Sequence, residues 1–180
     1  MSSDTEPDDG AVDPEDTAPP VEMRYGAPVT DSLGQVVLHP DRESYLSVVE
    51  AIRADGYWVC VDLCGVDYLG RSESTRGLPP GVTAERFEVV AQFLNHTERA
   101  RIRLRVQVPE SDPTVPTIFG LHPGVENHER ETWDLFGITF DGHPDHTRIL
   151  MPDQWEGHPL RRDYDVGRIP VQFKGAPSAR

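Results

Sequence analysis

Histidine is the residue type whose clustering in this chain could support chemistry. Five of the seven histidines fall in one stretch among many acids, and imidazole and carboxylate groups together can bind zinc or a non-haem metal. The spacing is poor for that role, because the run from His128 to Thr132 begins like a zinc-protease helix but lacks its second histidine. We therefore expect structural, hydrogen-bonding histidines and keep a metal site as the alternative. The five positions are His122, His128, His143, His146 and His158.

The two cysteines, Cys60 and Cys64, are the next candidates for chemistry. If both lie in one extended strand they share a face and stand about 13 Å apart, beyond the roughly 7 Å between Cα atoms that a disulfide allows. An iron–sulfur cluster typically needs four thiolates, and the chain has two. We expect two buried, inert thiols in a reducing compartment.

Three arginines alternate with apolar residues in the run from Ala100 to Val108. Arg101, Arg103 and Arg105 then lie on one face of a strand, while the apolar side chains lie on the other. Such a face could bind RNA or another anion, but stacking aromatics, which RNA-binding sheets present, do not alternate with these arginines. We favour cross-strand pairing with acids such as Glu88.

The elements that would position these residues follow from periodicity. Residues 41–56 predict an amphipathic helix with Asp41 as its N-cap, Gly56 as its stop, and a buried face. Residues 57–66 predict a strand and 71–81 a loop, and residues 87–95 and 100–108 predict two strands around a short turn. This order indicates an α+β fold with an antiparallel or mixed sheet and flanking helices. The buried face of the helix comprises Tyr45, Val48, Val49 and Ile52.

Charge divides the chain unevenly. The net charge is −14, which argues against a nucleic-acid partner, and residues 1–22 contribute eight acids with no Lys or Arg. We expect residues 1–23 to form a disordered acidic tail, a solubilising segment rather than an arm that docks on a basic partner. Residues 24–122 would then form the α+β domain. The sequence contains neither a membrane-spanning apolar run nor a signal-peptide pattern at its start.

Residues 123–180 combine tight turns, aromatics and paired charges. Residues 126–136 predict a short helix ended by Gly137, with Glu129, Arg130 and Glu131 on the surface or in ion pairs and with three large apolar side chains in packing positions. The chain after Ile138 is broken too often by glycine and proline to form a long element. Its content of Trp, Phe, Leu and Arg is typical of an extended segment that lies on another protein. The packing side chains of the helix are Trp133, Leu135 and Phe136.

These residues carry a resemblance to a known family. The sequence resembles the C subunit of the bacterial proton-pumping NADH:quinone oxidoreductase, respiratory complex I, across about 36 residues. The matching runs are Glu129 to Ile138 (ERETWDLFGI), Phe140, Gly142 to Pro144 (GHP), Arg148 to Pro152 (RILMP) and Trp155 to Tyr164 (WEGHPLRRDY).

The resemblance implies a non-catalytic structural subunit in the peripheral arm of that complex. FMN and iron–sulfur clusters would be carried by partner subunits, with no cofactor on this chain, while electrons pass from NADH to quinone and protons are translocated. The expected partners are other peripheral-arm subunits, above all the neighbouring subunit at the quinone site. The expected location is the cytoplasmic side of the cell membrane, reached only through the complex.

The resemblance also implies which side chains contact partners or form an internal network. The alternative is a free-standing metal-dependent enzyme that uses the His/Asp/Glu cluster at 122–158. The candidate partner-contact residues are Glu129, Arg130, Glu131, Asp134, His143, Arg148, Trp155, Arg161, Arg162 and Asp163.

Overall fold

The fold is an α+β arrangement of a six-stranded mixed sheet, a two-stranded sheet and two helices. A computed structural model describes residues 21–165 and residue 167. The main sheet has the strand order β1-β2-β3-β6-β5-β4, in which β3 and β6 run parallel, and β7 and β8 form a separate parallel pair. The elements are β1 Met23–Arg24, β2 Ala27–Ser32, β3 Gln35–Leu38, α1 Tyr45–Ala54, β4 Val59–Asp67, β5 Phe87–Asn95, β6 Ala100–Val108, β7 Thr114–Pro116, α2 Glu126–Phe136 and β8 Thr139–Asp141.

The β5–β6 hairpin lies between β3 and β4 in the sheet, and its strands have the bounds that alternation predicts. Its antiparallel register runs from Phe87 opposite Val108 to Asn95 opposite Ala100. One face is buried in the core, and on the other Arg105 makes a two-point ion pair with Glu88, with N–O distances of 2.8 and 2.9 Å. The predicted pairing of an arginine with Glu88 is confirmed.

Helix α1 covers the core face, and all four side chains predicted to face the core are buried. Its N-cap is Ser44 rather than Asp41, so the predicted cap is wrong by three residues. The Asp41 carboxylate instead accepts hydrogen bonds from the backbone N–H and hydroxyl of Ser44, at 2.7 and 2.6 Å. Asp41 therefore fixes the turn that leads into the helix.

Strand β4 contains a bulge, and for this reason the prediction of two buried cysteines on one face of a strand is wrong in part. A bulge between Cys60 and Asp62 inserts one residue, so Cys60 pairs with Phe93 on the core face while Cys64 pairs with Val90 on the opposite face. Cys64 is exposed and Cys60 is half-buried, and both thiols are free. Burial raises the pKa of the Cys60 thiol to about 12, which keeps it protonated and unreactive.

The described fold includes strands before the first predicted helix and core residues after residue 122, the expected end of the domain. Strands β1, β2 and β3 precede α1, which is the first element that periodicity predicts. The core also includes Val125, Ile138 and Phe140, so the chain after residue 122 folds as part of the same core. Residues 71–81 form the predicted loop with one 3-10 turn, Glu73–Thr75. The predicted acidic tail covers residues 1–23, and residues 1–20 of it lie outside the described residues.

None of the helices in the described part of the chain is long and apolar enough to cross a membrane.

Acidification is expected to destabilise this fold through His39. Its side chain is 2% exposed, and burial, together with the nearby charge of Arg105, lowers its pKa from 6.5 to about 4. The unfolded chain binds the proton first as the pH falls, so this contribution to stability is complete above about pH 6.5 and is lost between about pH 6.5 and pH 4. From pH 8 to pH 5 we expect it to lower the free energy of unfolding by about 2 kcal/mol.

Urea titrations of wild-type chain and of His39→Gln at both pH values measure this contribution. The loss of stability in the wild type should exceed the loss in His39→Gln, whereas substitution of the exposed His96 by Gln should leave the wild-type loss unchanged. Identical pH dependence in wild type and His39→Gln would contradict the assignment.

Candidate functional site: a helix bound by the segment that follows it

Helix α2 buries acids rather than its apolar side chains. Glu129 and Asp134 are 0% exposed and Thr132 is 2% exposed, while Trp133 and Phe136 are half-buried. The helix spans the predicted residues and ends at Gly137, whose φ of 72° is the left-handed conformation that glycine adopts most easily. The prediction that Glu129 lies on the surface or in an ion pair needs correction, because this carboxylate is enclosed and held mainly by neutral donors.

Gly65 allows the helix to lie close to the sheet. A Cβ atom at this position of β4 would stand 2.8 Å from the ring of Phe136 and 3.0 Å from the methyl group of Thr132. Because Gly65 has no side chain, α2 can pack directly on β4. The irregular tail segment, residues 142–165, lies against the other side of α2.

The Asp134 carboxylate is the point at which the tail segment is attached. Its Oδ2 accepts hydrogen bonds from the N–H groups of Ile149, Leu150 and Met151, at 3.1, 2.8 and 2.9 Å. Its Oδ1 lies 2.5 Å from the Nη1 of Arg148. Three successive amides that converge on one oxygen form a backbone anion site, occupied here by a side chain of the same protein.

The protonation of Asp134 follows from these contacts. Burial alone would raise its pKa, but the amides of Met151, Leu150 and Ile149, together with the Arg148 guanidinium, outweigh burial and lower the pKa below 3.8. Asp134 is therefore a carboxylate at neutral pH, and the donors around it are matched to a negative charge.

The tail segment also satisfies the carbonyl groups at the end of α2. His158 Nδ1 donates to the Asp134 carbonyl at 2.9 Å, and Leu160 N donates to the Leu135 carbonyl at 3.0 Å. Arg161 Nε donates to the Phe136 carbonyl at 2.6 Å. These carbonyls lack partners within the helix, and a cation near a helix C-terminus is favourable. Residues 158–161 thus act as the C-terminal cap of α2.

Glu129 joins α2 to the preceding loop. Its carboxylate accepts hydrogen bonds from the Thr117 hydroxyl and from the N–H of Ile118, the latter at 2.9 Å. His143 Nε2 lies 3.7 Å away. Burial raises the pKa of Glu129, and the Thr117 and Ile118 donors and the nearby His143 only partly offset that rise.

The histidines are held by hydrogen bonds and ring contacts. His143 Nε2 lies 3.1 Å from the Glu126 carbonyl, and its Nδ1 accepts from the N–H of Asp145 at 3.1 Å, so the ring carries its proton on Nε2. Its ring stacks on His146, which stacks in turn on Trp133, at centroid distances of 5.3 and 5.5 Å. Among the described residues, no three His, Cys, Asp or Glu side chains come together as a metal site, so the geometry gives the metal-enzyme alternative no support.

Arg130 and Glu131 occupy different environments on α2. Arg130 donates to the Thr147 hydroxyl at 2.7 Å and to the Arg148 carbonyl at 3.2 Å, which adds a second attachment of the tail segment. Glu131 is exposed. Helix α2 therefore contains two enclosed acids, Glu129 and Asp134, a half-buried acid, Glu126, and one acid that faces solvent, Glu131, while Arg130 is bound to the tail segment.

A further attachment site, the Arg86 cluster, lies at the end of β4. Arg86 is 8% exposed in its side chain and pairs with Asp67 at 3.0 Å, with Asp163 at 2.7 Å and with Glu110. Asp67 Oδ2 also accepts the N–H of Arg162 at 2.9 Å. The cluster joins the sheet to the end of the tail segment.

The outward side of the tail segment carries large apolar residues. Leu150 is 57% exposed, Leu160 is 52% exposed and Ile149 is 37% exposed. Trp155 is half-buried, and its Nε1 is buried without a hydrogen-bond partner among the described atoms. The same backbone that binds Asp134 therefore presents an apolar surface to the outside.

The structure brings most of the predicted site residues to this one region. Glu129, Arg130, Asp134, His143, Arg148 and Arg161 lie in the contacts between α2 and its neighbouring segments, and Arg162 and Asp163 lie at the Arg86 cluster. His158 is one of the histidines expected to be structural and hydrogen-bonded, and it donates to the Asp134 carbonyl. Sequence reasoning missed the roles of Thr117, Asp67 and Arg86, which no local pattern marks.

Comparisons with known proteins agree on one family. The family described as "Respiratory-chain NADH dehydrogenase, 30 Kd subunit" matches residues 38–169. A protein of Mycolicibacterium gilvum, named as the C subunit of NADH-quinone oxidoreductase, is 41% identical over 157 residues, which cover 82% of this chain and 65% of the relative. A protein of the same name from Nocardioides sp. is 43% identical over 145 residues, covering 79% of this chain and 54% of the relative. The chain thus spans only about half to two thirds of the length of these relatives.

Two solved structures share the fold. A structure described as Nqo5, trypsin-resistant fragment 1-134, has a TM-score of 0.58 and 35% identity, and the match covers 67% of this chain and 90% of that one. A chain from the membrane-bound sulfane sulfur reductase, an archaeal respiratory membrane complex, has a TM-score of 0.63 at 16% identity, covering 86% and 90%, and shows the fold alone.

Proposed function

Because the chain belongs to the family of the 30 kDa subunit of respiratory-chain NADH dehydrogenase, we propose that it is a non-catalytic structural subunit in the peripheral arm of NADH:quinone oxidoreductase. In this proposal FMN and iron–sulfur clusters are carried by other subunits, which pass electrons from NADH to quinone while protons are translocated. This chain contributes binding surface. The observation that supports the proposal is the tail segment, bound to α2 through Asp134 while Ile149, Leu150 and Leu160 face outward.

The exposed apolar side chains and the fixed backbone of the tail segment suit a preformed docking surface. Exposed leucine and isoleucine side chains in an irregular segment are a liability in an isolated chain and a source of affinity when a partner covers them. The hydrogen bonds to Asp134 fix the backbone of residues 149–151 before any partner binds. Less conformational entropy is then lost on association, which strengthens binding for the same area.

The candidate residues divide by exposure into two roles. Glu131, Arg162 and Asp163 are exposed, and we assign them to direct contact with partner subunits. Glu129 and Asp134 are enclosed, so they contribute to assembly by holding the shape of the surface. Arg130 holds the tail segment from α2, and the remaining candidates belong to the tail segment itself: His143, Arg148, Trp155 and Arg161.

The partners proposed are other peripheral-arm subunits, chiefly the neighbour that helps to form the quinone site. Association with the cytoplasmic side of the cell membrane would follow from membership of the complex. The exposed apolar side chains of Ile149, Leu150 and Leu160 fit a protein partner, since the centres of interfaces are apolar.

Charged substitutions on the outward side of the tail segment test this function. We expect Leu150→Asp with Leu160→Asp to reduce incorporation into the complex at least about tenfold, because each buries a carboxylate in an apolar interface. Native gels of membranes from cells that carry the variant chain measure incorporation, and circular dichroism of the purified chain confirms the fold.

Leu33→Asp is the matched control. Leu33 is fully exposed at the β2–β3 turn and lies outside the tail segment, so the same change of chemistry there should leave incorporation at the wild-type level. Normal incorporation of the Leu150→Asp, Leu160→Asp chain would exclude this surface as the docking site.

A further inference from the structure

Two histidines at the start of the tail segment stack on each other and on helix α2. The rings of His143 and His146, here called the histidine pair, lie 5.3 Å apart between centroids, and His146 stacks in turn on Trp133 at 5.5 Å. The His143 side chain is 0% exposed, and His146 is half-buried. The histidine pair therefore lies within the contact between α2 and the first residues of the tail segment.

Each ring of the pair uses a nitrogen lone pair to accept a backbone N–H group. His143 Nδ1 accepts from the N–H of Asp145 at 3.1 Å, while its Nε2 carries the proton and donates to the Glu126 carbonyl at 3.1 Å. His146 Nε2 accepts from the N–H of Phe140 at 3.3 Å. A protonated imidazole has an N–H at both nitrogens and cannot accept a hydrogen bond. Both contacts therefore require a neutral ring.

A proton on either ring would replace an acceptor with a second donor. The N–H of Asp145 or of Phe140 would then lose its partner, and an enclosed donor without a partner is costly. Burial of His146, together with the adjacent His143, lowers the pKa of His146 below 6.5, although the nearby Asp145 acts in the opposite sense. The attached tail segment therefore binds this proton less readily than a released tail segment would.

The acids near the histidine pair do not replace the lost contacts. Glu129 of α2 lies 3.7 Å from Nε2 of His143, a nitrogen that already carries a proton in the neutral ring, so Glu129 provides no acceptor for the N–H of Asp145. The Asp145 carboxylate adjoins His146 in sequence, but it also pairs with Arg130 of α2 at 3.6 Å. Both acids attract a charged ring and leave the two backbone donors without acceptors.

The other elements around the pair add little negative charge. The Arg148 guanidinium lies 5.7 Å from the centre of the Trp133 ring, on which His146 also stacks, so a charged His146 would have a second cation nearby. The loop before α2 contributes the uncharged ring of Phe119. Asp141, the acid of strand β8, is exposed to solvent. The surroundings of the pair thus suit two neutral rings.

We propose that the histidine pair is an acid-sensitive attachment, which holds the start of the tail segment on α2 only while both rings are neutral. When a ring takes up a proton, the N–H group that it bound is released and the first residues of the tail segment leave α2, while Asp134 still binds the amides of residues 149–151. The inference concerns regulation of the docking surface and in that sense rests on the proposed function.

Amide hydrogen exchange of the purified full chain tests this attachment. The protection factors of the Phe140 and Asp145 amides, which correct for the intrinsic effect of pH on exchange, are measured at pH 7.5 and pH 5.5. We expect both to fall at least about fivefold in the wild type. A released histidine with an ordinary pKa near 6.5 is protonated about ten to one at pH 5.5, and this proton uptake favours the open state.

A chain with His143→Asn and His146→Gln keeps the acceptors and removes the titration, because an amide oxygen accepts an N–H but binds no proton in this range. Its two protection factors should agree between pH 7.5 and pH 5.5 within about twofold. His96→Gln is the matched control, since His96 is exposed in the turn between β5 and β6 and this chain should keep the wild-type loss. His39 is present in all three chains, so its effect on global stability cancels.

Unchanged protection in the wild type between the two pH values would overturn the proposal. An equal loss in the His143→Asn, His146→Gln chain would also overturn it, because other groups would then cause the loss. If circular dichroism shows that this double variant does not fold, ring-carbon chemical shifts of the wild type decide instead. A ring of the pair that takes up a proton while the Phe140 and Asp145 amides stay protected contradicts the proposal, and coincident midpoints support it.

The test is independent of the docking function, because it uses the chain without partner subunits. A negative result would leave docking to be judged by the Leu150→Asp, Leu160→Asp chain. Normal incorporation of that chain would exclude the docking surface and leave the exchange result for the histidine pair unchanged.

Discussion

Asp134→Ala is expected to lower the free energy of unfolding by about 4 kcal/mol, because it removes one partner of a buried ion pair. Arg148 is only 12% exposed in its side chain and would lose its counter-charge. The N–H groups of Ile149, Leu150 and Met151 would lose their common acceptor, and each buried donor left without a partner is costly. Urea unfolding followed by circular dichroism measures the change.

Asp134→Asn separates charge from shape. The amide oxygen can still accept hydrogen bonds, so we expect a smaller loss, about 2 kcal/mol. The difference in free energy of unfolding between the wild type and Asp134→Asn should also disappear in acid. The folded pKa of Asp134 lies below its ordinary value of 3.8, so the charge stabilises the fold above that pH and stops doing so as the pH falls through the folded pKa.

Asp153→Ala is the control, since Asp153 is exposed in the same tail segment and its removal should cost less than about 0.5 kcal/mol. Limited trypsin digestion gives a second readout. Cleavage after Arg161 and Arg162 should be faster in Asp134→Ala, because the tail segment is released from α2. A stability loss below about 1 kcal/mol in Asp134→Ala, the size of one ordinary hydrogen bond, would show that the amide contacts do not hold the tail segment.

The elements predicted correctly are those whose signal is local. The period-two pattern of residues 100–108 defines β6, and its pairing with β5 follows from the short turn between them. The four apolar positions of α1 and the glycine stop of α2 are equally clear. Each of these features depends on side chains within about one turn or one hairpin of each other, the range over which periodicity carries information.

The errors arise where the deciding contact is distant or where one residue shifts the register. The bulge after Cys60 turns Cys64 to the opposite face, and a period of two cannot indicate an inserted residue. Strands β2 and β3 are short and mix polar with apolar residues, so they resemble loops. Periodicity gives no sign of the contacts of Asp134, because its partners are amides 15 to 17 residues further along the chain.

Family signature motifs can point to contacts between distant parts of the chain, which periodicity cannot indicate. The runs Glu129 to Ile138 and Arg148 to Pro152 are unusual as strings, and the structure shows them to be the two halves of one contact, in which Asp134 meets Arg148 and the amides after it. The acid, the arginine and the backbone between 149 and 151 depend on one another. A docking surface can therefore require particular residues as strictly as a catalytic site does.

Arg86→Met should also be strongly destabilising, by about 3 kcal/mol, because Asp67 is then left as a buried carboxylate without its counter-charge. The Asp67 side chain is 1% exposed and keeps only the N–H groups of Leu69 and Arg162 as donors. Burial raises the pKa of Asp67, and Arg86 is the first of the groups that reverse this effect. Methionine has nearly the volume of the arginine stem, so the loss reports charge rather than a cavity.

A second substitution tests this explanation directly. In the Arg86→Met, Asp67→Asn chain neither group carries an unpaired charge, and replacement of both partners of a buried pair is often nearly neutral, so most of the lost stability should return, to within about 1 kcal/mol of wild type. Arg42→Met is the control, since the Arg42–Asp112 pair is 33% and 60% exposed and the loss of such a solvent-screened surface pair should leave stability close to that of the wild type. If the double variant is as unstable as Arg86→Met alone, the cluster stabilises the fold by packing or by its contact with Asp163, and the assignment to the Asp67 charge is wrong.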